Sequence, residues 1–151
     1  NRKTMKTKDK ITIETTIHAP IETVWKLWTS PEHIVNWNFA TEEWCCPGAV
    51  NDLRPGGELN WRMEAKDGSM GFDLTGTYQQ IKVNELITYQ MSDGRAVSID
   101  FISEGDSVRI VESFDPEGTN SDEQQRAGWQ AILDNFKAYA EAAKASILPT
   151  F

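Results

Sequence analysis

Cysteine and histidine are scarce in this sequence of 151 residues, which holds two of each. The cysteines, Cys45 and Cys46, are neighbours. Adjacent thiols fit neither a disulfide framework nor the two-residue gap through which paired thiolates share a zinc ion. The histidines, His18 and His33, belong to no spaced His/Asp/Glu set, so no metal centre is expected. His18 ends a strand pattern and His33 lies in the first turn of a short helix, so both are expected at the surface. A glycine-rich phosphate loop is missing, as is any Ser, Cys or Lys in a nucleophile motif with a base at readable spacing, and no cofactor is expected. No apolar run approaches the roughly 18 residues of a membrane span, and Asn1 to Lys10 lacks the apolar core of a signal peptide. A cytoplasmic protein without a membrane partner is therefore expected.

Positive charge is thin outside the first ten residues. Arg2, Lys3, Lys6, Lys8 and Lys10 against Asp9 give that stretch +4, whereas the whole chain carries −8 and residues 11–151 therefore −12. An acidic body repels phosphate backbones, which excludes nucleic acid as a partner. Residues 1–10 are expected to be a disordered basic tail, 11–145 a single domain and 146–151 a C-terminal tail. With 39% hydrophobic residues, one domain of this length has enough apolar material for a sizeable core without staples.

What is present is strong periodicity. Ile11 to His18 alternates and is rich in β-branched residues, as a first strand does. Ala19-Pro20 then opens a helix whose apolar positions Ile21, Val24, Trp25 and Trp28 recur at helical spacing. Ser30 is expected to cap a second short helix from Pro31 to about Trp37. Residues 38–57 read as loop, broken at Cys46-Pro47-Gly48 and Pro55-Gly56-Gly57, with a short strand near Val50 to Leu53.

Turn chemistry sets the register of the strands that follow. A loop at Lys66-Asp67-Gly68-Ser69 pairs Met63 with Phe72, Trp61 with Leu74 and Leu59 with Gly76, and puts Arg62 opposite Asp73 on the other face as an exposed ion pair. Ser92-Asp93-Gly94 suits a three-residue turn that pairs Tyr89 with Val97 and Ile87 with Ile99. A two-residue turn at Gly105-Asp106 pairs Ser103 with Val108, Phe101 with Ile110, Ile99 with Glu112 and Val97 with Phe114. A long helix from about Asp122 to Lys144 closes the chain, opened by the capping box of Ser121 and Gln124 and striped by Trp129, Ile132, Leu133, Phe136, Ala140 and Ala143.

Four motifs in order along residues 11 to about 143 carry a family resemblance. They are Ile17-His18-Ala19-Pro20-Ile21-Glu22-Thr23-Val24-Trp25, Asp52-Leu53-Arg54-Pro55-Gly56-Gly57, Gly71-Phe72-Asp73-Leu74-Thr75-Gly76-Thr77-Tyr78 and Gln125-Arg126-Ala127-Gly128-Trp129-Gln130-Ala131-Ile132-Leu133. Together they resemble the START-like, helix-grip superfamily, in the branch named after the activator of the ninety-kilodalton heat-shock protein ATPase. The resemblance implies an α+β helix-grip fold. A curved antiparallel sheet of about six strands wraps a long C-terminal helix, and two short helices follow strand one. It further implies a cavity between sheet and helix. The fold hosts lipid carriers, receptors, cyclases and co-chaperone domains, so fold alone does not decide function. In the chaperone activators the domain follows a separate N-terminal domain, for which 151 residues leave no room.

Glu112 is the most informative single residue, because the parity of two hairpins puts its carboxylate on an otherwise apolar face. There it either bonds a group on the last helix, such as the Trp129 indole or Gln125, or borders a cavity, and its pKa is expected to be raised. No Lys or Arg is expected on that face nearby, since Arg109 alternates to the opposite side. The expected cavity walls are Trp61, Met63, Phe72 and Leu74 from one hairpin, Tyr89, Ile99, Phe101 and Glu112 from the next strands, and Gly128, Trp129 and Ile132 from the long helix. Trp37 or Trp44 is expected at the mouth. Gly128 sits mid-helix either for close packing on the sheet or to leave room for a ligand.

The expected function is non-enzymatic binding of a small apolar or amphipathic molecule in that cavity. Glu112 is the candidate acid or base should the cavity be that of a cyclase, lyase or hydrolase, and a heat-shock chaperone is the partner that the resemblance implies. A monomer or weak homodimer is expected.

Overall fold

Proline, β-branched and turn residues partition the chain much as their chemistry dictates. A computed structural model describes residues 9–147. Its elements are β1 (Ile11–Ile17), α1 (Ile21–Thr29), α2 (Pro31–Ile34), β2 (Trp44–Asn51), β3 (Glu58–Ala65), β4 (Gly71–Lys82), β5 (Leu86–Met91), β6 (Ala96–Glu104), β7 (Ser107–Phe114) and α3 (Asp122–Ile147). The strands form one antiparallel sheet in the order β1-β7-β6-β5-β4-β3-β2, curled into a half-barrel that grips α3. No helix among the described residues is long and apolar enough to cross a membrane.

The hairpin registers follow the turns. Met63, Trp61 and Leu59 face Phe72, Leu74 and Gly76. Tyr89 and Ile87 face Val97 and Ile99, and Ile99 faces Glu112. Gly94 (φ 98°) and Gly105 (φ 70°) occupy the left-handed positions these two turns require. Arg62 does lie opposite Asp73, at 3.6 Å, but its Nε is closer to Glu64 on its own strand, at 2.9 Å.

Three expectations change. The sheet has seven strands, because residues read as loop form β2. Pro47 and Gly48 mark a bulge inside this outer strand instead of its end, and the pairing with β3 shifts between Cys45 and Gly48. Proline is tolerated there because an edge strand needs hydrogen bonds on one side only. The second helix is a single turn, and Ser30 receives it through its backbone carbonyl, with no side-chain cap. The last helix continues to Ile147, past its expected end near Lys144. Residues 1–8 of the expected basic tail lie outside the described residues, as do 148–151. Lys10 binds Asp115 at 2.7 Å.

The core lines the inside of the half-barrel and reaches Ile87, Tyr89 and Met91 of β5, Tyr78 of β4 and Leu59 and Met63 of β3. Ile11, Ile13 and Ile17 of β1, Ile99 and Phe101 of β6, and Val108, Ile110 and Phe114 of β7 are all buried. Over them pack Val24, Trp25 and Leu27 of α1 and Leu133, Phe136 and Ala140 of α3. Each buried Val, Leu, Ile or Phe among them contributes about 1.5–3 kcal/mol of burial. Ser121 and Gln124 form the capping box of α3, with Gln124 N–H donating to Ser121 Oγ and Ser121 N–H to Gln124 Oε1, both at 3.1 Å. Towards the other end of α3, Glu141 receives the backbone N–H of His18 at 2.9 Å and Lys137 at 3.0 Å, locking the helix to the β1–α1 junction. His33 is half-buried, not fully at the surface, with Nδ1 2.6 Å from the Tyr139 hydroxyl.

Candidate functional site

Inward side chains of β3, β4 and β5 join the core, yet beside Trp61, Met63, Leu74, Tyr89 and Met91 the space towards α3 is not filled, and a cavity of about 440 Å3 remains there. Its inner wall is an aromatic cluster of Trp28, Trp37 and Phe136, with ring centroids 4.8–4.9 Å apart. Trp28 and Trp37 line the space. Trp37 is fixed by its indole N–H, which donates to the Leu27 carbonyl at 3.0 Å. The sheet wall is Trp61, Met63, Leu74, Tyr89 and Met91, and the helix contributes Trp129 and Ile132. Trp129 lies flat on Phe114, 3.8 Å between centroids and 10° between planes, so the ring is held at the cavity edge. Trp61 is held by its indole N–H to Asn51 Oδ1 at 2.9 Å, and Asn51 donates in turn to the Thr29 carbonyl at 2.7 Å.

Three polar side chains border this apolar space from inside. Glu112 is 7% exposed, and no protein group hydrogen-bonds its carboxyl among the described residues. Burial pushes it up to about 8, so it holds its proton at neutral pH. Gln125, the partner considered from sequence, bridges residues 117 and 120 instead, donating to the Glu117 and Asn120 carbonyls at 3.1 and 2.8 Å. Tyr89 is buried beside Glu112, and burial first, then the nearby carboxyl, raises its phenol well above the ordinary range. Asn38 is buried as well, and its amide nitrogen has no hydrogen-bond partner.

The mouth is polar and charged. Asp73 and Thr75 reach it from β4, and Ser92, Asp93 and Arg95 from the β5–β6 turn, with Phe72, half-exposed, at the rim. Arg95 Nε donates to Asp93 Oδ2 at 2.9 Å. It borders the same space from the turn, but burial alone shifts Glu112, and no cation acts on that carboxyl. Arg109 does point away, to Glu14 at 3.1 Å and Glu104 at 3.4 Å.

Of the residues singled out from sequence, Trp37, Trp61, Met63, Phe72, Leu74, Tyr89, Glu112, Trp129 and Ile132 border the cavity, and Trp44, Ile99, Phe101 and Gly128 do not. Trp25 and Trp28 meet the Phe101 ring edge-on at 5.2 and 5.7 Å, which seals Phe101 and the neighbouring Ile99 into the solid core. Trp44 leans on Phe72 outside the space, with centroids 6.1 Å apart. A Cβ built on Gly128 meets nothing within 4 Å, so neither close packing nor cavity space accounts for that glycine. Asn38, Met91 and Arg95 were missed. Asn38 follows a short helix and reads as a turn residue, and only the tertiary fold turns it inward. Met91 continues the inward parity of Ile87 and Tyr89, which could have found it. No group of His, Cys, Asp and Glu among the described residues could hold a metal ion.

Comparison with known proteins places this geometry. The solution structure of an AHSA1-like protein from Aeromonas hydrophila is 43% identical over 94% of this chain and 99% of its own, with a TM-score of 0.86. The solution structure of Chr148 from Cytophaga hutchinsonii is 51% identical over 95% of this chain and 99% of its own, with a TM-score of 0.78. Protein CV1439 from Chromobacterium violaceum, at 20% identity and a TM-score of 0.79 over 89% of this chain and 99% of its own, shares the fold. A search of curated proteins finds no match. The sequence profile described as activator of Hsp90 ATPase homolog 1-like protein matches residues 18–141, and the chain belongs to that family.

Proposed function

We propose that this protein binds one small, largely apolar or amphipathic molecule in the cavity between sheet and α3, without turning it over. The observation that carries this reading is a space of about 440 Å3, walled by aromatic side chains and bordered by a buried carboxyl that no protein group engages. Ligand sites range over roughly 300–1,000 Å3 and pair apolar walls with a few placed polar groups. A dye that fluoresces in apolar surroundings should bind one to one, and fresh protein should carry a co-purifying mass in native mass spectrometry. Leu74→Trp, which fills the space, should abolish dye binding and leave the folded spectrum intact. Dye binding that is not saturable, or that survives Leu74→Trp, would overturn the reading.

A second reading rests on Glu112 alone. A carboxyl pushed up to about 8 stands near the operating pH, as a general acid requires. Turnover of any bound molecule that disappears in Glu112→Gln would favour an enzyme over a carrier. The family's name refers to Hsp90 ATPase activation, and a chaperone partner is a separate matter. Retention of the chaperone on immobilised protein tests it.

A further inference from the structure

Glu112 is an acid in an apolar enclosure, and nothing in the protein requires it to be one. Its neighbours across the sheet are Ile13 on β1 and Ile99 on β6, and α3 presents Trp129 and Ile132 to the same space. Tyr89 and, behind it, Tyr78 are the titratable groups on the sheet wall, and burial keeps both phenols protonated through pH 9. The charged groups stand at the mouth, where Asp93 holds Arg95 at 2.9 Å and Asp73 faces Arg62 at 3.6 Å. Arg95 acts on the Tyr89 phenol and not on Glu112. Glutamine would supply the same shape, a donor and an acceptor without a titration. What a carboxyl adds is a negative charge, and in this enclosure that charge is stable only when a cation arrives to pair with it. The walls suit a cation. Trp28, Trp37, Trp61, Tyr89 and Trp129 line the space, and the π face of such rings attracts an ammonium group. Trp61 and Tyr89 meet at 83° and form a corner. Trp129 lays one face on Phe114, 10° from parallel, and no ring among the described residues stacks on the other. The chain as a whole carries −8, which draws cations and repels anions.

We propose that the cavity takes a lipophilic cation, an apolar molecule bearing one ammonium group, and that Glu112 ionises on binding to become its counter-ion within the aromatic walls. This rests on the cavity-binding reading and adds the charge of the occupant. On binding, the Glu112 O–H bond breaks, its proton leaves to solvent and the carboxylate pairs with the ammonium. Because burial holds the empty site's acid up to about 8, that ionisation weakens binding about tenfold at pH 7 relative to pH 9. A neutral occupant leaves the proton in place. An anionic one would have to draw Arg95 away from Asp93.

The test uses three probes, benzyltrimethylammonium, its uncharged isostere neopentylbenzene and the anion 4-tert-butylbenzoate, titrated against the whole chain by tryptophan fluorescence. At pH 9 the cation should bind at least tenfold tighter than the isostere and tighter than the anion. Its affinity should rise about tenfold from pH 7 to pH 9, although the probe itself does not titrate, while that of the isostere does not rise. Calorimetry at pH 7 in two buffers of different ionisation enthalpy should find close to one proton released per cation bound. Glu112→Gln should abolish the rise with pH, weaken the cation at least tenfold at pH 9 and leave the isostere within about twofold. An isostere that binds the wild-type chain as tightly as the cation at pH 9, or an anion that binds tighter, would overturn the inference and leave the cavity reading intact; neither comparison needs a variant. A tightly bound cation without proton release or a rise with pH would place its charge on Asp73 or Asp93 at the mouth and overturn the role of Glu112. Failure of all three probes to bind would overturn the cavity reading and the inference together.

Discussion

Folding moves Glu112 from about 4.5, its ordinary value, up to about 8, and burial is the cause. Between those values the folded chain holds a proton that the unfolded chain has released. Stability linked to this group is therefore fully present below pH 4.5, falls as pH rises towards 8 and is flat above. Glu112→Gln keeps the shape and removes the titration. It should stabilise the protein by about 1–3 kcal/mol at pH 7, with a difference that vanishes near pH 4. Thermal unfolding of both proteins across that range measures it. A difference that stays constant with pH would put the carboxyl in water and contradict the inward parity of β7. Glu141 carries the opposite sign. Burial pulls it up, but the His18 backbone N–H, Lys137 and the His18 ring outweigh that and bring it down to about 2. Its contribution, present above its ordinary value, is lost as pH falls towards 2, so acid should loosen α3 from the β1–α1 junction first.

At the scale of elements, two glycines predict opposite outcomes for one substitution. Gly128 lies inside α3 where an added Cβ meets open space, so Gly128→Ala should stabilise the helix by about 1 kcal/mol. Gly76 lies in β4, where a Cβ would sit 2.7 Å from the Gln90 carbonyl and 3.3 Å from Met91 Cα on β5. Gly76→Ala should therefore destabilise by about 1–3 kcal/mol, as overpacking does. Denaturant melts of the two variants measure both, and a destabilised Gly128→Ala would show that α3 packs more closely there. The contrast also marks how far the sequence could be read. Hairpin registers were legible down to the residue, because Gly94 and Gly105 fix turn type and a register error would put Glu112 and every strong apolar side chain on the wrong face. The bulged β2 was not, because Pro47-Gly48 has the same local chemistry whether it ends a strand or bends one. The cavity walls were legible as an inward face. Which part of that face stays open was not, since it depends on where Trp25 and Trp28 land, and they land on Phe101 instead of Leu74 or Tyr89. Asn38 and Arg95 escaped for the same reason: their sequence neighbours describe turns, and only the docking of those turns against the sheet brings them to one space.

The half-barrel leaves two outer strands, β1 and β2, and the protein treats them differently. Along β1, side chains of α3 occupy alternate carbonyls. Arg126 donates to Thr12 at 2.7 Å, Gln130 to Glu14 at 3.3 Å and Lys137 to Thr16. Those carbonyls would otherwise be acceptors for a strand from a second molecule, and engaging them removes that template. Along β2, Pro47 contributes no backbone donor, and the bulge between Cys45 and Gly48 breaks the spacing that strand addition needs. A net charge of −8 adds mutual repulsion at low salt. Sedimentation at micromolar concentration should accordingly show a monomer or a weak homodimer. Replacing Arg126, Gln130 and Lys137 together by alanine frees three alternate carbonyls on β1 and removes two cations, so the two effects can be separated by salt. Self-association through the exposed strand edge should appear in the triple variant and grow stronger as salt screens the added negative charge, while the wild-type chain changes little. A tight wild-type oligomer at low salt, unaffected by the triple substitution, would mean that neither strand edge forms the contact and that the convex face of the sheet does.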